Sequence, residues 1–233
     1  MNRVPKTLKT LNRITSISFA VALYLVFFYA PREAIMGDVQ RIFYFHVASF
    51  WVAALGFLGA AIAGGIYLSR RTRKWDQVAL ASIEVGVVFT FINIVSGSIW
   101  ARPAWNTWWT WDPRLVTATI VELIYFAYIM LRQGIEDLDR RARFGAVYAI
   151  VGFISVPITF LSIRYLRTIH PVVIGSANPN AEGGFDMTSR MRVTFFFSLI
   201  TFSLLYATLL WHRLRLERIG EKVQALKMKI LSA

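Results

Sequence analysis

The chain has 233 residues, of which 56% are hydrophobic and only 17% charged, and its mean hydropathy is +0.51. So apolar a composition excludes a soluble domain with a solvated face. The formal charge of +13 does not point to nucleic acid, because the basic residues lie beside apolar runs, where positive charge is expected of a membrane protein.

Six apolar runs are long enough to cross a bilayer as helices. In chain order they are Ile14–Ala30, Ile42–Leu68, Val78–Trp100, Leu115–Leu131, Phe144–Ile163 and Val193–Trp211. No small-x-small cleavage site follows the first run, which is therefore expected to be a retained span. Lysine and arginine set the orientation. The N-terminus carries Arg3, Lys6, Lys9 and Arg13, and the second and fourth runs are each followed by four basic residues. The tail carries six, from Arg213 to Lys229. The other side has only Arg32, Arg41, Arg102, Arg114, Arg164, Arg167, Arg190 and Arg192. The expectation is an all-α membrane protein of six transmembrane helices forming a single domain over residues 1–233, with both termini cytoplasmic. Residues 212–233 form a cytoplasmic basic tail, expected to continue the sixth span as an amphipathic helix, interfacial or cytoplasmic. The outer loop from Arg164 to Arg192 contains Gly175-Ser176-Ala177-Asn178-Pro179-Asn180 and Gly183-Gly184, rich in turn-formers.

Between the third and fourth spans lies Trp100-Ala-Arg-Pro-Ala-Trp105-Asn-Thr-Trp108-Trp109-Thr-Trp111-Asp112-Pro113-Arg114-Leu115. An interfacial aromatic belt accounts for Trp51, Trp75 and Trp211, each of which stands alone. It accounts poorly for five tryptophans within twelve residues. Such an indole platform, with arginines at both ends, suits a large, flat, apolar ligand bearing anionic groups. Haem is the leading candidate. Asp112 before Pro113 reads first as the N-cap and N1 of the fourth helix.

His46 and His170 fall on the same side as the tryptophans. Taken singly, each is an ordinary interfacial histidine; beside the platform, neutral imidazoles become candidate axial ligands for iron. Either the two grip the iron from opposite faces, or one binds and leaves room for a partner's ligand. His212, amid cytoplasmic arginines, is given no role. Arg41, Arg102, Arg114, Arg164 and Arg167 can pair with propionates or with lipid phosphates, and Arg114 lies inside the motif. Glu84 and Glu122 fall within spans, where carboxylates usually face the bundle interior, either as glue between helices or along a polar path. Pro157 is expected to kink the fifth span. Cysteine is absent, so the chain has no disulfide, no thiolate metal site and no C-x-x-C-H attachment.

The segment Trp105-Asn-Thr-Trp108-Trp109-Thr-Trp111-Asp112-Pro113-Arg114-Leu115-Val116 resembles the WWD motif, W-G-x-W-W-x-W-D-x-R-L-T, of the haem-handling proteins of cytochrome c biogenesis. It departs at Asn106 and Val116. Gln40-Arg41-Ile42-Phe43-Tyr44-Phe45-His46-Val47 is similar to a second stretch of that group, R-I-F-Y-x-H-V-P-S, with Ala48 for proline. Arg167-Thr168-Ile169-His170-Pro171 is similar to its R-T-L-H-P. Length and span number single out the smaller family, CcmC, over about Arg41 to Trp211. That resemblance implies a protein that binds haem b, iron protoporphyrin, at the outer membrane surface. It implies Trp105, Trp108, Trp109, Trp111, Asp112 and Arg114 around the macrocycle, and His46 and His170 as axial ligands. It further implies delivery to the haem chaperone CcmE, with CcmA, CcmB and CcmD as complex subunits. This reads as a binding and delivery protein rather than a catalyst. The rival readings are a proton-coupled transporter using Glu84 and Glu122, and a direct haem-attachment subunit, for which the chain is short.

Overall fold

The computed structural model describes residues 4–34, 36–173 and 186–232; the Gly175–Gly184 stretch lies outside them. Apart from isolated bridge residues, Glu33 with Gly37 and Thr168 and Val172, the regular structure among them is helical. Helix α1 is Lys6–Tyr24, closed by a π-helical turn at Leu25–Tyr29. A 3₁₀ turn at Asp38–Arg41 leads into α2, Ile42–Arg70. The others are α3 (Arg73–Trp105), α4 (Pro113–Gln133), α5 (Leu138–Phe153), α6 (Ser155–Tyr165) and α7 (Ser189–Leu231). Six helical stretches are long and apolar enough to cross a membrane, α5 and α6 together making the fifth.

Local chemistry explains several ends. Asp112 caps α4 with Pro113 at its first position, as expected from the sequence. Asp137 and Thr188 cap α5 and α7 through their side chains. The fifth span breaks at Ile154, between α5 and α6. Pro157, three residues on, has no N–H to offer the Phe153 carbonyl, which is where the ladder is interrupted. The third span runs five residues beyond its expected end, through Pro103 to Trp105. Asn106 then takes φ 56°, ψ 23°. This left-handed cap is natural for glycine and best tolerated by asparagine among other residues, so the departure from the WWD pattern leaves the backbone turn available.

The core forms around α2, which packs on α3, α5 and α7. Close approach depends on small residues. A Cβ on Gly56 would lie 2.7 Å from the Ser82 carbonyl oxygen, so larger residues would separate α2 from α3. Phe57 stacks on Tyr125 at 3.6 Å with rings parallel within 1°. Outward faces carry exposed Phe28, Phe91, Leu123, Val151 and Ile200, as expected of lipid-facing positions.

With six traverses, the described residues that join the first stretch to the second, the third to the fourth and the fifth to the sixth share one end of the bundle. His46, the tryptophan segment and His170 are all at that end. The opposite end is tied by ions. Arg132 of α4 makes a two-pronged bond to Asp76 of α3 at 2.6 and 2.9 Å, and the pair is largely buried. Arg213 of α7 holds Glu84 at 2.6 Å and Glu217 at 2.8 Å. Glu84 lies 21 residues before Trp105, about 32 Å along the helix at 1.5 Å per residue, close to the ~30 Å of a hydrocarbon core. Through Arg213, Glu84 joins α3 to α7 at the end of the bundle away from the tryptophans. Glu122, near the middle of α4, is buried with no hydrogen-bond partner on either oxygen among the described residues.

Candidate functional site

His46 enters on the first turns of α2 and lies against α3. Its Nδ1 is 3.0 Å from the Asn93 carbonyl oxygen. The Asn93 side-chain amide nitrogen lies 3.1 Å from the same Nδ1 and 3.4 Å from Nε2; in the tautomer that donates to the carbonyl, Nε2 keeps the lone pair. The Asn93 side chain donates to the His46 carbonyl at 2.9 Å, fixing the two helices in register. Space for the ring comes from Gly97, where a Cβ would meet His46 Cε1 at 2.7 Å.

His170 comes from the connection after α6. Its Nδ1 is 3.1 Å from the Pro171 carbonyl oxygen, so again Nδ1 donates and Nε2 is left with its lone pair. Burial, then the positive charge of Arg114 and the neighbouring His46, pushes His170 down to about 3. The ring is therefore neutral at ordinary pH, the form that ligates metals.

The two rings, from separate parts of the chain, have centroids 6.4 Å apart at an interplanar angle of 36°. An ion held between two imidazoles at about 2 Å from each nitrogen places ring centroids about 6 Å apart. The spacing therefore fits a shared ion. Among the described residues, no group of three His, Cys, Asp or Glu could hold a metal. Two imidazoles alone are too few for a bare zinc ion, which takes three or four protein ligands. They are enough for an iron that brings its own four equatorial nitrogens.

Around the histidines lies a cleft of about 50 Å³ lined by Trp100, Trp105, Trp108, Trp109 and Arg114, among others. Trp105 meets His170 edge-on at 6.5 Å and Trp100 at 5.2 Å. Trp108 is largely exposed and is tied to α3 by the Ser98 hydroxyl, which donates to its carbonyl at 2.8 Å. Trp111 stands outside the cleft, 84% exposed, with its ring edge-on to Trp109 at 6.0 Å. The indole N–H of Trp100 is buried and has no partner among the described residues, leaving a donor at the cleft wall.

Asp112 does more than cap α4. Its carboxylate accepts from the Arg114 backbone N–H at 2.8 Å, from the Thr168 hydroxyl at 2.9 and 2.8 Å, and from the Ile169 N–H at 2.8 Å. Thr168 Oγ1 in turn accepts from the His170 N–H at 3.0 Å. One buried carboxylate thus fastens the tryptophan segment to the loop bearing the second histidine. The aspartate's local cap is readable from Asp112-Pro113; its bonds to residues 56 and 57 positions away are not. Gly97 and Thr168 likewise carry no functional signal in the sequence spacing, whereas Trp100 belongs to the tryptophan segment. Only the position of Thr168 between Arg167 and His170 hinted at a role.

The arginines divide. Arg114 lines the cleft, donates to the Thr159 carbonyl at 2.7 Å, and lies over Phe50 at 4.4 Å and Phe160 at 5.4 Å. Arg102 turns back on Asn106, at 2.7 Å from its carbonyl oxygen. Arg41 is held by Asp38 at 3.1 Å and by the Val26 carbonyl. Arg167 borders a second hollow with Thr110, Asp112 and Pro113. His212 pairs with Asn12 at 2.9 Å at the far end.

The sequence profile of heme exporter protein C matches residues 1–229. A protein of that name from Bradyrhizobium diazoefficiens is 31% identical over 223 residues, covering 96% of this chain and 83% of the relative. The Escherichia coli K12 protein of that name is 32% identical over 190 residues, 81% of this chain and 74% of the relative. That of Rhodobacter capsulatus is 29% identical over 216 residues, 92% and 88% respectively. A six-span helical membrane protein with this match along nearly its whole length belongs to the heme exporter protein C family, CcmC.

Proposed function

We propose that the chain binds haem b in the His46–His170 cleft and presents it to the chaperone CcmE during c-type cytochrome maturation, with CcmA, CcmB and CcmD as complex subunits. On the lysine and arginine distribution, the cleft faces outward from the cytoplasmic membrane. The observation that carries this reading is the convergence of the His46 and His170 rings, from separate parts of the chain and 6.4 Å apart, beside an indole wall.

Haem is cargo here, supplying an iron with two open axial positions and two carboxylates. The chain's residues do the holding. His46 and His170 offer Nε2 to the metal, and the Asn93 and Pro171 carbonyls set their tautomers. Trp105, Trp108 and Trp109 exclude water from an apolar face, with Trp111 at the outer rim. Arg114 and the Trp100 indole N–H are donors for propionates. A cleft of about 50 Å³ admits a few water molecules rather than a porphyrin, so loading requires an outward shift of its wall. The exposed Trp108–Trp111 stretch, tied by few bonds, is the part able to move.

Purified protein titrated with haemin is expected to show the Soret band of six-coordinate, bis-imidazole haem. His46→Ala and His170→Ala should each convert it to a weaker, five-coordinate spectrum, and the double variant should abolish it. A wild-type protein without a Soret band, or two single variants that both match it, would overturn the proposal. Gly97→Ala supplies a milder test. The added methyl meets the His46 ring, while alanine favours the helix by up to about 1 kcal/mol. Haemin affinity should fall about tenfold with thermal stability unchanged or raised. Unaltered affinity would show that the ring's seat against α3 is unimportant.

A further inference from the structure

Helix α7 continues unbroken beyond its apolar stretch to Leu231. Beyond Arg213, which pairs with Glu84, it carries Leu216, Ile219, Val223, Leu226 and Ile230. Their spacing is three, four, three, four. That is the a and d pattern of a heptad, a stripe two residues wide per seven. All five are between 49% and 75% exposed. The opposite face is occupied: Glu221 accepts from Gln77 at 2.7 Å and pairs with Arg73 at 3.0 Å. Glu217 is held by Arg213. These bonds hold α7 upright against α3 and turn the stripe away from the bundle.

We propose that Leu216–Ile230 is a docking seam for an amphipathic helix of another protein, one with a matching apolar stripe flanked by acidic residues. The flanks argue for that chemistry. With Leu216 at position a, Lys222 and Lys229 fall at g and Lys227 at e, so the seam is bordered by positive charge. A second copy in the same membrane would meet it in parallel and set Lys222 against Lys227, a repulsive pair. The bilayer surface is a poorer match. A helix lying in the interface has a broad apolar face with aromatic anchors, whereas this stripe is narrow, has no aromatic residue, and stands on a helix clamped upright at Glu221.

The test uses the full-length protein in phosphatidylcholine nanodiscs. The probe is a fluorescent three-heptad peptide with Ile at a, Leu at d and Glu at e and g; a twin carries Lys at e and g. Saturable anisotropy change with the Glu peptide, at least tenfold weaker for Val223→Glu and Leu226→Glu and for the Lys peptide, supports the seam. No binding of the Glu peptide overturns it, provided the haemin spectrum is unchanged as a sign of intact fold. Because the chain lacks cysteine, Leu226→Cys gives a single labelling site. A blue shift of an environment-sensitive dye there on adding the Glu peptide supports the proposal. The same shift caused by anionic lipid alone overturns it in favour of the membrane. Disulfide-linked dimers of Leu226→Cys overturn it in favour of self-pairing.

Discussion

Asp112→Ala is expected to lower stability by about 4 kcal/mol and to weaken haemin binding at least tenfold. The carboxylate is 8% exposed and accepts from three donors, the Arg114 N–H, the Thr168 hydroxyl and the Ile169 N–H. Loss of an N-cap costs about 1 kcal/mol, and each hydrogen bond to a charged acceptor contributes about 1.5–3 kcal/mol. At about 2–4 °C per kcal/mol for a chain of this size, the apparent Tm should fall by roughly 10 °C. The binding defect has a separate origin: without its anchor, the Thr168–His170 turn no longer holds the imidazole near His46. Asp112→Asn keeps one accepting oxygen, so it can cap α4 or hold Thr168 but not serve every donor; its effects should be about half as large. Thermal denaturation in detergent and a haemin titration read the two quantities. If Asp112→Ala lowers Tm while leaving the bis-imidazole spectrum and affinity intact, the clamp is structural only and His170 is held by other contacts.

Asp76→Ala should be equally damaging to stability and should leave binding alone. Arg132 has a side chain only 7% exposed, bonded at two points to Asp76. Gly145 lies against it so closely that a Cβ there would be 2.5 Å from the guanidinium. Removing the carboxylate leaves a buried charge without its partner, at a cost of about 3–5 kcal/mol. The double variant Asp76→Ala, Arg132→Met should recover most of that loss, since an apolar replacement of a buried ion pair is often neutral. The pair sits at the end of the bundle opposite the cleft, so the haemin spectrum at low temperature should match wild type. A single variant within about 1 kcal/mol of wild type would mean that water or a rearranged acid, Glu84 being the nearest candidate on α3, compensates Arg132.

Helical organisation was legible because each span had to satisfy its backbone internally and present an apolar surface of fixed length. The six runs therefore stood out, and so did the α4 cap at Asp112-Pro113 and the continuation of α7. Ends were less legible. Pro103 suggests a stop, yet α3 passes through it to Trp105, because the cost of one missing bond is outweighed by packing of Trp100 and Trp105 beside the cleft. Glu84 reads as intramembrane from hydropathy alone; its ion pair with Arg213, 129 positions away, leaves no trace in the spacing.

By itself, the amino-acid order determined that this is a six-span helical protein of the CcmC family, and marked the tryptophans, His46, His170, Asp112 and Arg114 as the residues to follow. Only the tertiary structure decided that the imidazoles stand 6.4 Å apart, that Asp112 grips Thr168 and Ile169, and that Trp111 lies outside the cleft. The physical reason is the range of the forces. Hydrophobic patterning and capping act within a few residues of each other and leave a trace in spacing. A hydrogen bond between positions 56 apart leaves none, because it exists only once α4 and the loop after α6 have packed.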